Sequence, residues 1–198
     1  KFAKKILLSF ESTASFFSGT LKEKLIVTGN PVRPVFYNAS AEKGKAFVGY
    51  DSNINKKPIL LVMGGSLGAV QINSLVKENL EWIKERFFIV HQTGKQWADE
   101  LLPLKDDDYH PYPFIYNEMP DVMAAADVVL SRSGSNSLWE CAVSKKPLIL
   151  IPFSGSGTRG DQVENAAFFE KYKAALVLGG KLADGTPSKE ASSENLKE

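Results

Sequence analysis

The residues best suited to chemistry sit in short polar turns that follow apolar runs. Gly64-Gly65-Ser66-Leu67-Gly68 comes directly after Ile59-Leu-Leu-Val-Met63. Glycines there allow a tight turn and let a ligand reach the backbone without meeting a Cβ. The free N–H groups and partial positive charge of a following helix favour an anion, most often a phosphate. The turn matches neither the dinucleotide fingerprint nor the P-loop, and a turn with no ligand fits the same residues. Ser131-Arg-Ser-Gly-Ser-Asn-Ser-Leu-Trp-Glu140 repeats the arrangement. Ser133, with the backbone of Gly134 and Ser135, could accept a phosphate at that helix start. Glu140, about two turns further on, could accept both hydroxyls of a ribose. A capped helix carrying a solvated glutamate is the plainer alternative.

Gly160-Asp-Gln-Val-Glu-Asn165 opens another helix, with Asp161 as a candidate N-cap. Gln162 and Asn165 share a face, and amide side chains suit hydroxyl groups because each both donates and accepts. His91-Gln-Thr-Gly-Lys95 ends a further apolar run. A single histidine there reads as a structural hydrogen-bonder before it reads as a catalyst. Arg33 could reach a diphosphate or simply decorate the surface. Phe16-Phe17 and the aromatics of 112–116 read as core rather than membrane contacts, and Asp106 to Asp108 as a solvated loop. No Ser-His-Asp nucleophile arrangement is supported.

These turns need elements to hold them. Apolar runs at 5–10, 25–28, 59–63, 87–91, 112–116, 127–131, 147–151 and 174–178 read as strands. Helical patterns over 67–85, 95–102, 119–126, 132–144 and 161–173 alternate with them, and one short helix fits between Val35 and Gly49. Thr28 to Pro34 is rich in breakers and reads as a loop or interdomain linker. The polar tail, Asp184 to Glu198, reads as frayed. Strands that are apolar throughout and alternate with helices predict an α/β fold with a doubly wound parallel sheet. Ligands of such sheets bind beyond the carboxyl ends of the strands, where all of the turns above would gather.

Composition narrows the function. The chain has 198 residues, 43% hydrophobic and 24% charged, with a net charge of +1. That suits a globular domain and gives no reason to expect nucleic acid. Cys141 has no second cysteine to pair with, and with only His91 and His110 beside it no metal-ligand spacing exists. No run is long enough to span a membrane, and no signal peptide is present. The start at Lys1 reads as that of a fragment or processed chain.

Taken in order, Thr28-Gly-Asn-Pro-Val-Arg33, Gly64-Gly-Ser-Leu-Gly-Ala69, His91-Gln-Thr-Gly-Lys95, Arg132-Ser-Gly134 with Glu140, and Asp161-Gln162 with Asn165 resemble the MurG family of glycosyltransferases over about residues 25–180. The resemblance implies a GT-B architecture of two Rossmann-like domains, with residues 1–34 ending the acceptor domain and its linker. Residues 35–198 would form the C-terminal donor domain, cut short at its end. It implies transfer of N-acetylglucosamine from UDP-N-acetylglucosamine to the 4-hydroxyl of a lipid-linked muramoyl-pentapeptide, with inversion and without cofactor or metal. Carried over by motif, Arg33 and Ser66 lie near the diphosphate or sugar, beside the phosphate-loop residues Gly64, Gly65, Leu67 and Gly68. Phe114 and Ile115 match the uracil segment, with the Ile115 backbone reading the base edge. Ser133, Gly134 and Ser135 match the α-phosphate turn, Glu140 the ribose ligand, and Gln162 with Asp161 the sugar hydroxyl contacts. Ser135 to Trp139 and Ser154 to Arg159 depart from the family pattern. The family's Gly-rich acceptor loop and its nearby histidine have no counterpart here, so the catalytic base would come from the other domain and the chain alone would not turn over.

The resemblance also implies a bacterial enzyme of peptidoglycan synthesis, hence of cell shape and division, bound peripherally to the cytoplasmic face of the inner membrane. Two alternatives remain open on the residues alone. One is another GT-B nucleotide-sugar enzyme, such as a glycolipid transferase or a sugar epimerase. The other is a non-catalytic nucleotide-binding module.

Overall fold

A computed structural model describes residues 2–64, 69–154 and 160–198. Its centre is a parallel sheet built from β3 (Ile59–Met63), β4 (Phe88–Gln92), β5 (Tyr109–Tyr112), β6 (Val128–Ser131), β7 (Leu148–Leu150) and β8 (Ala175–Val177). The spatial order is β5-β4-β3-β6-β7-β8. The chain starts in the middle at β3, winds outward through β4 and β5, then returns to β6 on the other side. This is the doubly wound fold, with its reversal of direction between β3 and β6.

Side-chain alternation along each strand makes two cores. Ile59, Leu61, Met63, Phe88, Val90, Val129, Leu148, Leu150 and Val177 face one way. Leu60, Val62, Ile89, Tyr109, Leu130 and Leu178 face the other. Helices α1 (Ala41–Val48), α5 (Met119–Ala125), α6 (Ser135–Val143) and α7 (Asp161–Lys171) contribute residues to the first core. Helices α2 (Val70–Glu78) and α3 (Leu80–Lys84) contribute to the second. A short helix, α4 (Ala98–Leu101), follows β4. Burying both sheet faces explains why the strands are apolar without alternating with polar residues.

A separate two-stranded parallel sheet joins β1 (Ile6–Leu8) to β2 (Leu25–Val27). It leaves Leu7, Ile26 and Val27 exposed. Phe10 ties it to the main body, its ring lying 4.9 Å from that of Phe168 and 5.9 Å from that of Trp139. Residues 28–33 then lead into a 3-10 turn, Pro34–Asn38, whose Phe36 is buried in the first core.

Four expectations are corrected. The strand placed at 112–116 runs over Tyr109–Tyr112 instead. Asp106 is the reason, since its Oδ1 accepts from the N–H groups of Asp108 and Tyr109 and turns the chain straight into the sheet. Pro111 is tolerated because β5 is an edge strand. The acidic loop is also not merely solvated, because Lys84 pairs with Asp106 at 2.6 Å and Lys57 with Asp108 at 2.7 Å. The single helix over 67–85 is broken at Asn79, whose side chain turns back to the Leu75 carbonyl at 2.8 Å. The tail is not frayed throughout, for Ser192 caps α8 (Ser193–Lys197) and Leu196 packs on the second core.

Helix α1 lies close on α5 through Gly44. A Cβ added there would stand 2.5 Å from the Asp121 carbonyl carbon, 2.9 Å from Val122 N and nearer still to the Asp121 oxygen. These are backbone atoms that cannot swing aside. Gly44→Ala should therefore destabilise the fold, although alanine is the better helix former by about 1 kcal/mol. We expect a net loss of about 2 kcal/mol and a melting temperature lower by about 5 °C, measured by thermal unfolding. An unchanged or raised melting temperature would show that the two helices do not meet this closely.

Candidate functional site

The carboxyl ends of β3 and β6 are adjacent, and a crevice opens beyond them. A cavity of about 660 Å³ there is lined by Gly64, Ala69, Val70, Gln71, Arg132, Phe153, Ser154 and Gln162. Gly64 closes β3, whereas the expected phosphate-loop residues Gly65, Ser66, Leu67 and Gly68 lie outside the described residues. A different cavity, of about 420 Å³, lies against the second core. Its walls include Leu60, Trp82, Leu130, Ile149, Leu176 and Leu178, an apolar lining unlike that of a nucleotide site.

After β6 the chain makes a turn fastened to α7. The Ser133 hydroxyl donates to the Gln162 carbonyl at 2.7 Å, and the Asn165 side-chain amide donates to the Ser133 carbonyl at 3.1 Å. Ser133 is fully buried, so its side chain anchors the turn. Asn165 is buried in the same joint and does not share an open face with Gln162. Gly134 is the N-cap of α6 and Ser135 its first residue. Space above Gly134 is open, so the first amides of α6 are approachable by a ligand.

The cap of α7 differs from expectation. Gly160, at φ +79°, is the N-cap, and Asp161 stands exposed as the first helical residue without a side-chain capping bond. The left-handed turn at Gly160 takes the capping position that the sequence pattern gave to Asp161. Gln162 Oε1 accepts from the Phe153 N–H at 3.0 Å, which orients its amide group along the cavity wall.

Glu140 and Arg33, 107 positions apart, form an ion pair with Nε–Oε1 3.0 Å. The carboxylate is largely buried and the guanidinium largely exposed, 16% against 59% of the side chain. Arg33 also lies over the Phe36 ring at 4.9 Å. One helical turn before Glu140, Asn136 accepts from the Asn30 amide at 2.9 Å. Helix α6 thus holds residues 30–33 at two points.

At the other side of the crevice, β4 and β5 end together. Gln92 Oε1 accepts from the Ile115 N–H at 3.0 Å, while the Ile115 carbonyl has no hydrogen-bond partner among the described residues. Ile115 is buried, and Phe114 is half-buried with its ring 4.5 Å from that of Tyr116. Sequence reasoning did not single out Gln92 or Gln71. A polar residue ending an otherwise apolar strand was the available signal for Gln92.

His91 is a structural residue, as its isolation suggested. Its Nδ1 lies 2.9 Å from the Tyr109 hydroxyl and its Nε2 3.1 Å from Asn73 Oδ1. The Asn73 amide nitrogen is committed to the Thr93 carbonyl at 2.8 Å, so Nε2–H donates to Oδ1 and Nδ1 accepts from the tyrosine. Burial drives the imidazole pKa from 6.5 down to about 3 and keeps it neutral. The network joins α2 to the end of β4, on which the crevice is built.

Comparisons with known proteins bear on the family and the fold. The profile described as "Glycosyltransferase family 28 C-terminal domain" matches residues 59–188. A Treponema denticola protein named UDP-N-acetylglucosamine–N-acetylmuramyl-(pentapeptide) pyrophosphoryl-undecaprenol N-acetylglucosamine transferase is 43% identical over 190 residues, covering 91% of this chain and 48% of that protein. A Bacillus cereus protein of the same name, numbered 2, is 43% identical over 178 residues, covering 90% and 49%. The chain thus spans about half the length of these relatives. The crystal structure of Acinetobacter baumannii MurG superposes with a TM-score of 0.52 at 23% identity, covering 78% of this chain and 44% of that one, a likeness of fold.

The buried histidine predicts a pH dependence. Above pH 6.5 it is neutral in both the folded and unfolded chains, so its contribution to stability is complete. As the pH falls from 6.5 toward 3, the unfolded histidine takes a proton that the folded one refuses, and stability falls. At pH 5.0 the loss is about 2 kcal/mol, at about 1.4 kcal/mol per pH unit. Denaturant titrations at pH 7.5 and 5.0 on wild type and His91→Gln should show the penalty of the substitution shrinking by that amount at the lower pH. An identical penalty at both values would contradict a neutral buried histidine.

Proposed function

The chain belongs to glycosyltransferase family 28 through that family's C-terminal domain, and from this premise we propose that it is the donor-binding half of an inverting transferase of peptidoglycan synthesis. The donor is UDP-N-acetylglucosamine and the acceptor the 4-hydroxyl of undecaprenyl-diphospho-N-acetylmuramoyl-pentapeptide. The observation that carries the reading is a convergence at the sheet reversal. Gly64, the open start of α6 at Gly134 and Gln162 approach the same edge from three separate stretches of sequence, with Glu140 further along α6.

In this reading Phe114 and the Ile115 carbonyl meet the uracil, and Glu140 accepts from the ribose hydroxyls. Ser133 to Ser135 present the first amides of α6 to the α-phosphate, while Ser66 and the glycine turn lie near the diphosphate. Asp161 and Gln162 meet the sugar hydroxyls. The Arg33–Glu140 pair opens as the ribose enters, which turns the guanidinium toward the diphosphate. The acceptor hydroxyl attacks C1 of the sugar, its bond to the diphosphate oxygen breaks, and UDP leaves with the electron pair. The helix start and the arginine stabilise that charge electrostatically. The hydroxyl proton passes to a base of the acceptor domain, of which residues 1–34 form the end and the linker, with residues 35–198 as the donor domain. Contact with the membrane is peripheral, at the cytoplasmic face. Among the described residues no helix is long and apolar enough to cross a membrane.

Calorimetric titration with UDP, UDP-N-acetylglucosamine and UDP-glucose tests the reading. We expect Glu140→Ala to weaken UDP by about 10- to 100-fold, the worth of one or two hydrogen bonds to a charged group. Gln162→Ala should instead weaken both nucleotide sugars relative to UDP, with UDP itself little changed. A folded chain with no affinity for any uridine nucleotide, alone or joined to its acceptor domain, would overturn the proposal.

A further inference from the structure

Arg132 has no part in the function proposed above, yet its surroundings are unusual for a charge. It follows β6 directly, and its Nη1 donates to Gln71 Oε1 at 2.9 Å, to the Ile151 carbonyl at 2.9 Å and to the Pro152 carbonyl at 3.3 Å. Its guanidinium carbon lies 5.5 Å from the centre of the Phe153 ring. Every partner is neutral. Among the described residues no carboxylate pairs with it, and none of the residues outside that description is acidic. The side chain is half-buried, and desolvation holds its pKa below the usual guanidinium value.

A partly desolvated cation without a counter-charge is costly unless a ligand supplies one. Arg33, the arginine that the motif pointed to, is in the opposite state, with its Nε already on Glu140. The hydrogen bonds of Arg132 all leave from Nη1, so its Nη2 and Nε donors have no partner among the described residues. The group also lines the 660 Å³ cavity between Gly64 and Gln162.

We propose that Arg132 is a substrate-binding residue for the diphosphate of the nucleotide, held ready by its braced Nη1 and offering its remaining donors to phosphate oxygens. A planar guanidinium suits this because two parallel N–H groups can grip one phosphate. Gln71 and the carbonyls of 151 and 152 fix the orientation before the ligand arrives. Three neutral acceptors cannot neutralise the charge, so a dianionic group gains the full attraction on entry. The assignment rests on the crevice being the donor site.

The test compares uridine, UDP and inorganic diphosphate on the chain and on Arg132→Gln. We expect the substitution to weaken UDP and inorganic diphosphate by about 10- to 100-fold while uridine affinity stays the same. Arg132→Lys, which keeps the charge without the fork, should recover part of the loss. Thermal unfolding shows whether each variant folds, because Arg132 also braces 151 and 152. If the glutamine variant fails to fold, the lysine variant carries the test through its ratio of UDP to uridine affinity, which must fall. Wild-type affinities in Arg132→Gln for both phosphate ligands would overturn the assignment, and loss of UDP binding in Glu140→Ala would then still support the donor reading. Binding of inorganic diphosphate through Arg132 with no affinity for uridine or UDP would support the anion subsite and overturn the nucleotide. No binding of any of the three by folded wild type would overturn both.

Discussion

Every strand of the main sheet runs parallel to its neighbours, and most of the molecule follows from that pairing. A parallel pair cannot be joined by a tight hairpin, so each connection must cross a face of the sheet. Both faces are then covered, the strands become apolar on both sides, and all carboxyl ends fall along one edge. Because β3 pairs with both β4 and β6, the connections after β3 and β6 depart to opposite faces. The crevice between them is a consequence of winding and needs no dedicated cavity-forming residues. Sequence choice enters in what is placed at its rim.

That rim is where polar residues enter the core. Ser131, His91, Gln92, Thr93, Ser133 and Asn165 are all buried near strand ends or the turns beyond them. Each would be costly without a partner. The Thr93 carbonyl takes the Asn73 amide, Gln92 takes the Ile115 N–H, and Ser133 and Asn165 interlock with α7. These bonds join separate elements and so fix loop positions that apolar packing alone would leave loose. Rigid turns at a sheet edge are what a site that recognises phosphate and hydroxyl groups requires.

Elements bounded by breakers were legible in the sequence, whereas features set by single side-chain bonds or by long-range contacts were not. Ile59–Met63 was readable to the residue because Pro58 and Gly64 bound an unbroken apolar run. Tyr109–Tyr112 was displaced because the aromatic content of 112–116 outweighed a turn set by one aspartate side chain. Glu140 and Arg33 were each singled out, but a pairing across 107 positions has no local signature. Arg132 was passed over for the same reason. Its own neighbourhood, Ser131-Arg-Ser-Gly134, looks like a turn, and the lack of a carboxylate is visible only once Gln71, Ile151 and Phe153 are brought round it. Asp161 reads as the cap because aspartate is a common capping residue, while a left-handed glycine one position earlier occupies the cap position.

Arg33 and Arg132 stand in opposite electrostatic states. Glu140 and Arg33 neutralise each other, so the largely buried carboxylate is paired. Arg132 is left uncancelled at the sheet reversal, where the start of α6 adds a further partial positive charge. A ligand with a ribose at one end and a diphosphate at the other would reverse this pattern. Its hydroxyls would replace Arg33 on Glu140, and its phosphates would give both guanidiniums a counter-charge.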